Sequence, residues 1–130
     1  MPATSDQKTR VLLIDDDPFI LDMYVLKLKE RGFAVDIASD GKTGLQKLQT
    51  FQPDVVLLDI VLPSMDGFSV LETIKKQTVA RPPKVVLLTN LGQKEDIDRG
   101  MRLGADDYLI KAHFTPSEVV NKIERLVNKP

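Results

Sequence analysis

The sequence predicts an α/β fold, a doubly wound parallel sheet of five strands with helices on both faces. Three observations carry that expectation. Five short apolar runs are spread over 130 residues. The segments between them place apolar residues at helical spacing, and the two patterns alternate strictly along the chain, which implies parallel strands joined by right-handed crossovers.

The apolar runs are Val11–Ile14, Ala34–Ala38, Val55–Leu58, Val85–Leu88 and Tyr108–Ile110. Four are nearly continuous in apolar character, as in parallel strands covered on both faces, while the second alternates like an edge strand. Ile20, Tyr24 and Leu28 mark the first helix; Leu45, Leu48 and Gln52 a weaker second; Leu71 and Ile74 a third; Ile97 and Met101 a fourth; Val119, Ile123 and Leu126 a fifth. Asp17-Pro18 opens the first helix and Gly32 closes it. Thr115-Pro116-Ser117-Glu118 is a capping box with proline at the first helical position. The fourth helix is a poor helix former, because Gly92 lies near its start and Gly100 inside it, where glycine costs about 1 kcal/mol against alanine. Low local stability suits an element that shifts.

Composition narrows the function. Apolar residues make up 42% and charged residues 28%, which suits one folded domain. With 18 basic and 19 acidic side chains, nothing favours direct binding to nucleic acid or to an anionic membrane. Cysteine is absent, which excludes disulfides, zinc-thiolate sites and thiol catalysis. No apolar run approaches the ~20 residues of a membrane span, and a cytoplasmic location is expected. Residues 1–9 read as a polar leader and 10–128 as the domain. Met1 with this leader favours a stand-alone protein over a piece of a longer one.

Ligands of such a sheet gather at the carboxyl ends of its strands. Asp15, Asp16 and Asp17 follow the first strand, Asp59 the third, Thr89 the fourth and Lys111 the fifth. Carboxylates crowded on one rim repel one another unless a cation sits among them, and hard oxygen ligands suit Mg²⁺. Asp16 and Asp59 are the expected metal ligands; Asp17, directly before Pro18, is equally well explained as a helix cap. Phosphoryl transfer needs a nucleophile, a metal and further positive charge or donors on the phosphoryl oxygens. Asp59 fits the nucleophile, Lys111 the mobile charge and Thr89 the hydroxyl donor.

On these residues the chain resembles the receiver domain of two-component response regulators, as a chemotaxis-type single receiver. The motif pieces are Leu13-Ile14-Asp15-Asp16-Asp17-Pro18, Leu58-Asp59 through Pro63 to Met65-Asp66-Gly67, Leu88-Thr89, and Gly104 through Tyr108 to Lys111. The resemblance implies a flavodoxin-like sheet in the order 2-1-3-4-5. It further implies phosphorylation of Asp59 by a histidine kinase or histidine phosphotransfer protein. Mg²⁺ would be held by Asp16, Asp59 and the backbone carbonyl of Val61, with Asp15 lining the acidic pocket and acting directly or through water. Thr89 and Tyr108 match the pair that reorients on phosphorylation, and Lys111 the lysine that contacts the phosphoryl group. Such a domain catalyses only its own phosphorylation and dephosphorylation. It signals through the face formed by helix 4, strand 5 and helix 5, as a monomer or a weak homodimer.

Several residues depart from the family pattern. Ala112 replaces the usual proline after the lysine, and a cis bond there would cost about 2.5–4 kcal/mol, so both bond geometries stay open. Asn90 stands where a small residue is common. Val61 and Leu91 occupy positions that tune phosphoryl lifetime, and neither can orient a water by hydrogen bonding, so a long-lived phosphoryl group is expected. Val61 also stands where an aspartyl-phosphate phosphohydrolase would need its second acid, which argues against a turnover enzyme. Asp15-Asp16-Asp17 would repel a phosphate cradled after the first strand, which argues against a flavodoxin-like cofactor binder. Phe19, Met23 and Leu26 form a second apolar row on the first helix, read either as a docking face or as a wide buried face. His113 reads as a plain loop residue.

Overall fold

The computed structural model describes residues 8–79 and 81–128, so most of the expected leader lies outside the described residues. Strands and helices alternate as β1 (Arg10–Ile14), α1 (Pro18–Glu30), β2 (Ala34–Ala38), α2 (Gly41–Phe51), β3 (Val55–Leu58), α3 (Gly67–Lys76), β4 (Lys84–Thr89), α4 (Lys94–Arg102), β5 (Asp107–Ile110) and α5 (Pro116–Val127). All pairings are parallel, in the order β2-β1-β3-β4-β5.

The period of two along each strand divides the core. Val11, Leu13, Val55 and Leu57 meet Leu21, Tyr24 and Leu28 of α1 and Val119, Val120 and Ile123 of α5 on one face. Leu12, Ile14, Val56 and Leu58 meet Leu48 of α2 and Phe68, Val70, Leu71 and Ile74 of α3 on the other. Every residue of β3 is buried, whereas β2 is mostly half-exposed, as its alternation predicted for an edge.

Capping sets the helix ends. Asp17 caps α1 by accepting from the Phe19 amide, and Gly32 leaves the helix at φ 89°, a left-handed conformation glycine takes without steric cost. Both halves of the Thr115–Glu118 capping box are formed at α5.

Three details differ from the sequence reading. Gln52 is not part of α2 but its left-handed C-cap, so the helix ends at Phe51. On α1 the residue fully buried in the first turn is Leu21, with Ile20 only half-buried. The difference is largest at α4. Met101 is 45% exposed, Ile97 is half-buried, and the one buried residue of the helix is Gly100. Gly92 stands just before the N-cap Gln93, near the helix start as expected. Gly100 lets α4 approach the sheet closely: a Cβ there would lie 2.6 Å from Leu87 Cδ1 and 3.0 Å from the Tyr108 ring.

The second row on α1 is exposed: Phe19 at 83%, Leu26 at 65% and Met23 at 42%. A wide buried face is therefore excluded.

Candidate functional site

The strand order reverses between β1 and β3, and the register pairs Ile14 with Leu58 at their carboxyl ends. The next residue of each strand is then an aspartate beside an aspartate. The Asp59 amide donates to the Ile14 carbonyl at 2.9 Å and the Asp15 amide to the Ala38 carbonyl at 3.0 Å, which anchors both carboxylates to the rim of the sheet. Asp15 is 1% exposed and Asp59 6%, whereas Asp16, one residue on, is exposed.

Burying two neighbouring carboxylates is costly unless each finds partners. Lys111, at the end of β5, supplies the charge: its Nζ lies 2.6 Å from Asp15 Oδ2 and 2.8 Å from Asp59 Oδ2. The Asp17 amide donates to Asp15 Oδ1 at 2.9 Å and the Val61 amide to Asp59 Oδ1 at 3.2 Å. Burial pushes the Asp15 carboxyl above the ordinary range, and the hydrogen bond from Lys111 only partly offsets it. At Lys111 burial works against the charge, yet hydrogen bonds to Asp15 and Asp59 prevail and hold the ammonium above its usual value.

Carboxylate oxygens of Asp15, Asp16 and Asp59 lie within 4.8 Å of one another. With three carboxylates facing one ammonium, a divalent cation would relieve the excess, and an all-oxygen donor set fits Mg²⁺. Asp17 is outside this group, being occupied as the α1 cap.

The loop after β3 is shaped around Asp59. Ser64 adopts φ 69° in the turn, Asp66 caps α3 through the Ser69 amide, and the Gly67 amide donates to the Ile60 carbonyl at 2.7 Å. A Cβ at Gly67 would collide with the Asp59 carbonyl oxygen and lie 2.5 Å from Ile60 Cα. Gly67 was legible in the motif, but this close approach was not.

Thr89 is the last residue of β4, where the sequence reading placed it just beyond the strand, and it is fully buried. Its Oγ1 accepts from the Leu91 amide at 3.3 Å, and the Tyr108 hydroxyl donates to the Leu91 carbonyl. Burial, with the charges of Asp96 and Asp59, pushes the Tyr108 phenol up to about 12. Asn90 is exposed and Val61 is 62% exposed. No cis peptide occurs among the described residues, so Lys111–Ala112 is trans and opens a 3₁₀ turn, Lys111–His113. His113 is exposed there.

The profile of the response regulator receiver domain matches residues 11–124. This chain belongs to that family.

Over 120 residues the receiver is 38% identical to the DNA-binding dual master transcriptional regulator RpaA of Synechocystis sp., which covers 92% of this chain and 49% of RpaA. It is 34% identical to the phosphate regulon transcriptional regulatory protein PhoB of Escherichia coli, with 92% of this chain and 52% of PhoB covered. The receiver thus spans about half the length of these curated relatives. Among solved structures it resembles a CheY-like response regulator receiver domain protein from Methanospirillum hungatei JF-1. The two are 32% identical with a TM-score of 0.86, over 94% of this chain and 95% of the other. The chain is therefore a signalling domain of the two-component type, and receivers of this family work with histidine kinases. No helix of the described residues is long and apolar enough to cross a membrane.

Proposed function

We propose that Asp59 accepts a phosphoryl group from the phosphohistidine of a histidine kinase or histidine phosphotransfer protein. The observation that carries this reading is one ammonium, Lys111 Nζ, hydrogen-bonded to both Asp59 and Asp15 beside the exposed carboxylate of Asp16. A carboxylate nucleophile, an acidic metal pocket and a cation for the developing charge then occupy one rim.

In the transfer a P–O bond forms at an Asp59 oxygen as the donor's P–N bond breaks, and the imidazole departs. Mg²⁺, held by Asp16, Asp59 and the Val61 backbone carbonyl, with Asp15 bound directly or through water, would neutralise the phosphoryl oxygens. Lys111 leaves the carboxylates and follows the new negative charge. The Thr89 hydroxyl, which now only accepts from Leu91, has its own proton to donate and turns to a phosphoryl oxygen. That turn releases the Leu91 amide and, through the Leu91 carbonyl, the hold on Tyr108. The α4–β5–α5 face changes in consequence.

The unit runs from 10 to 128, works in the cytoplasm, catalyses no turnover beyond its own phosphorylation and dephosphorylation, and is a monomer or weak homodimer through α4–β5–α5. The exposed row Phe19, Met23 and Leu26 along α1 supplies an apolar docking face for the phosphodonor protein.

Intact mass after incubation with acetyl phosphate and Mg²⁺ tests the reading. One added phosphoryl mass is expected on the unaltered chain and none on Asp59→Asn. An unaltered chain that gains no mass overturns it.

A further inference from the structure

β2 is an edge strand, paired with β1 on one side only. The Ala34 amide donates to the Thr9 carbonyl at 2.9 Å, and the Ala38 carbonyl accepts from the Asp15 amide at 3.0 Å. Successive residues of a strand turn their N–H and C=O groups to opposite sides. Ala34, Asp36 and Ala38 therefore bond to β1, while Val35 and Ile37 direct theirs away from the sheet. Outward groups of this kind are a template for a further strand.

Side chains close one of these two positions. The Ile37 amide donates to Asp36 Oδ1 at 2.9 Å. Lys47 Nζ, reaching over from α2, donates to the Ile37 carbonyl at 2.6 Å and to Asp36 Oδ1 at 3.0 Å. Lys47 and Asp36 thus occupy both the donor and the acceptor that an added strand would need at Ile37, while pairing their own charges. The side chain they flank is apolar and 36% exposed, so without them this stretch of edge would be open and hydrophobic.

The strand that these groups exclude is a second β2. Ala34-Val35-Asp36-Ile37-Ala38 reads nearly alike in both directions. Two copies laid antiparallel about Asp36 would therefore exchange bonds between Val35 of one and Ile37 of the other. The two Asp36 residues would then face each other at the closer of the two cross-strand spacings, where like charges repel. We infer that Asp36 and Lys47 form a lock that keeps β2 from pairing with β2 of a second copy of this chain. No side chain of the aspartate rim takes part, so the lock stands apart from the phosphorylation reading.

Sedimentation velocity over a range of protein concentrations tests the lock on three proteins: the unaltered chain, Asp36→Ala combined with Lys47→Ala, and that double variant with Val35→Pro added. Alanine frees the Ile37 groups and removes the facing charges without adding a large apolar side chain. Proline at 35 blocks the outward side and takes no bond from β1. The double variant is expected to self-associate roughly tenfold or more tightly than the unaltered chain, and Val35→Pro to reverse this. A dimer through α4–β5–α5 would ignore Val35→Pro. Association no tighter than in the unaltered chain, or association that survives Val35→Pro, overturns the lock. Amide hydrogen exchange in the unaltered chain decides without any variant having to fold. Corrected for intrinsic rates, the Ile37 amide should exchange roughly tenfold or more slowly than the outward Val35 amide, and equal rates overturn the lock as well.

Discussion

Tyr108 donates its hydroxyl to the carbonyl of Leu91, and the amide of that same Leu91 donates to Thr89. The backbone of one residue thus joins the end of β4 to β5. Because a hydroxyl accepting from Leu91 can turn to donate elsewhere, this residue is where, in the proposed switch, a change at the rim would reach the outer face.

Tyr108→Phe removes one of the two bonds and leaves the Leu91 carbonyl to water. A loss of roughly 0.5–1.5 kcal/mol is expected in urea denaturation. Acetyl phosphate should still add a phosphoryl group, since Tyr108 touches neither Asp59 nor Lys111. Loss of phosphorylation would show that the tyrosine does more than couple.

Gly67→Ala meets backbone on two sides, the carbonyl of Asp59 and the Cα of Ile60, neither of which can rotate away. Destabilisation of about 2 kcal/mol or more is expected, with reduced phosphorylation because the acceptor's peptide is displaced. Thermal denaturation and intact mass check both parts.

At the proposed Mg²⁺ site, Lys111 and the metal would compete for the same carboxylates. In Lys111→Met, Asp15 and Asp59 lose their cation, so the metal-free protein should lose about 3 kcal/mol. Its Mg²⁺ affinity should rise severalfold by calorimetry, and its phosphorylation should fall. Asp16→Asn removes an exposed carboxylate and should cost little stability while weakening Mg²⁺ binding at least about tenfold. Unchanged Mg²⁺ affinity in Asp16→Asn would falsify its place among the ligands.

Burial, aided by the charge of Asp15, pushes the Tyr24 phenol up to about 12, against 10 for the free side chain. A raised folded value favours the protonated form in the native state. That stabilisation is complete below pH 10 and is lost as pH rises toward 12, by at most roughly 2–3 kcal/mol. Denaturation midpoints measured from pH 9 to 12 should fall in the unaltered chain and fall less in Tyr24→Phe. Some decline persists in the variant, because the raised values of Tyr108 and Lys111 act with the same sign.

Val61 is largely exposed beside Asp59 and offers no side-chain hydrogen bond to an attacking water. A slow loss of the phosphoryl group is expected, and Val61→Asn should speed it severalfold. Decay followed by intact mass distinguishes the two; equal rates would remove Val61 from the account.

Much of the fold and the place of the site could be read from local pattern. Continuous apolar runs marked the buried strands, alternation marked β2 as an edge, and Asp17-Pro18 and Thr115–Glu118 marked helix starts, because burial period and capping are decided by neighbours in the chain. The rim carboxylates followed from strand ends. Periodicity alone places Gln52, Ile97 and Met101 on helices, and it cannot see that α2 stops in a left-handed cap or that α4 turns a glycine toward Leu87 and Tyr108. Likewise, no local pattern distinguished the trans from the cis bond at Lys111–Ala112, chose between cap and ligand for Asp17, or showed whether the row on α1 was covered. Those answers depend on what the register of β1 against β3 and the approach of α3 and α4 bring together: Lys111 across two aspartates, Gly67 against the Asp59 carbonyl, Gly100 against Tyr108. Strand ends alone place Asp15, Asp16, Asp59, Thr89 and Lys111 on the rim; which of them touch follows from three-dimensional packing, because contacts between residues distant in the chain are set by how its elements are arranged in space.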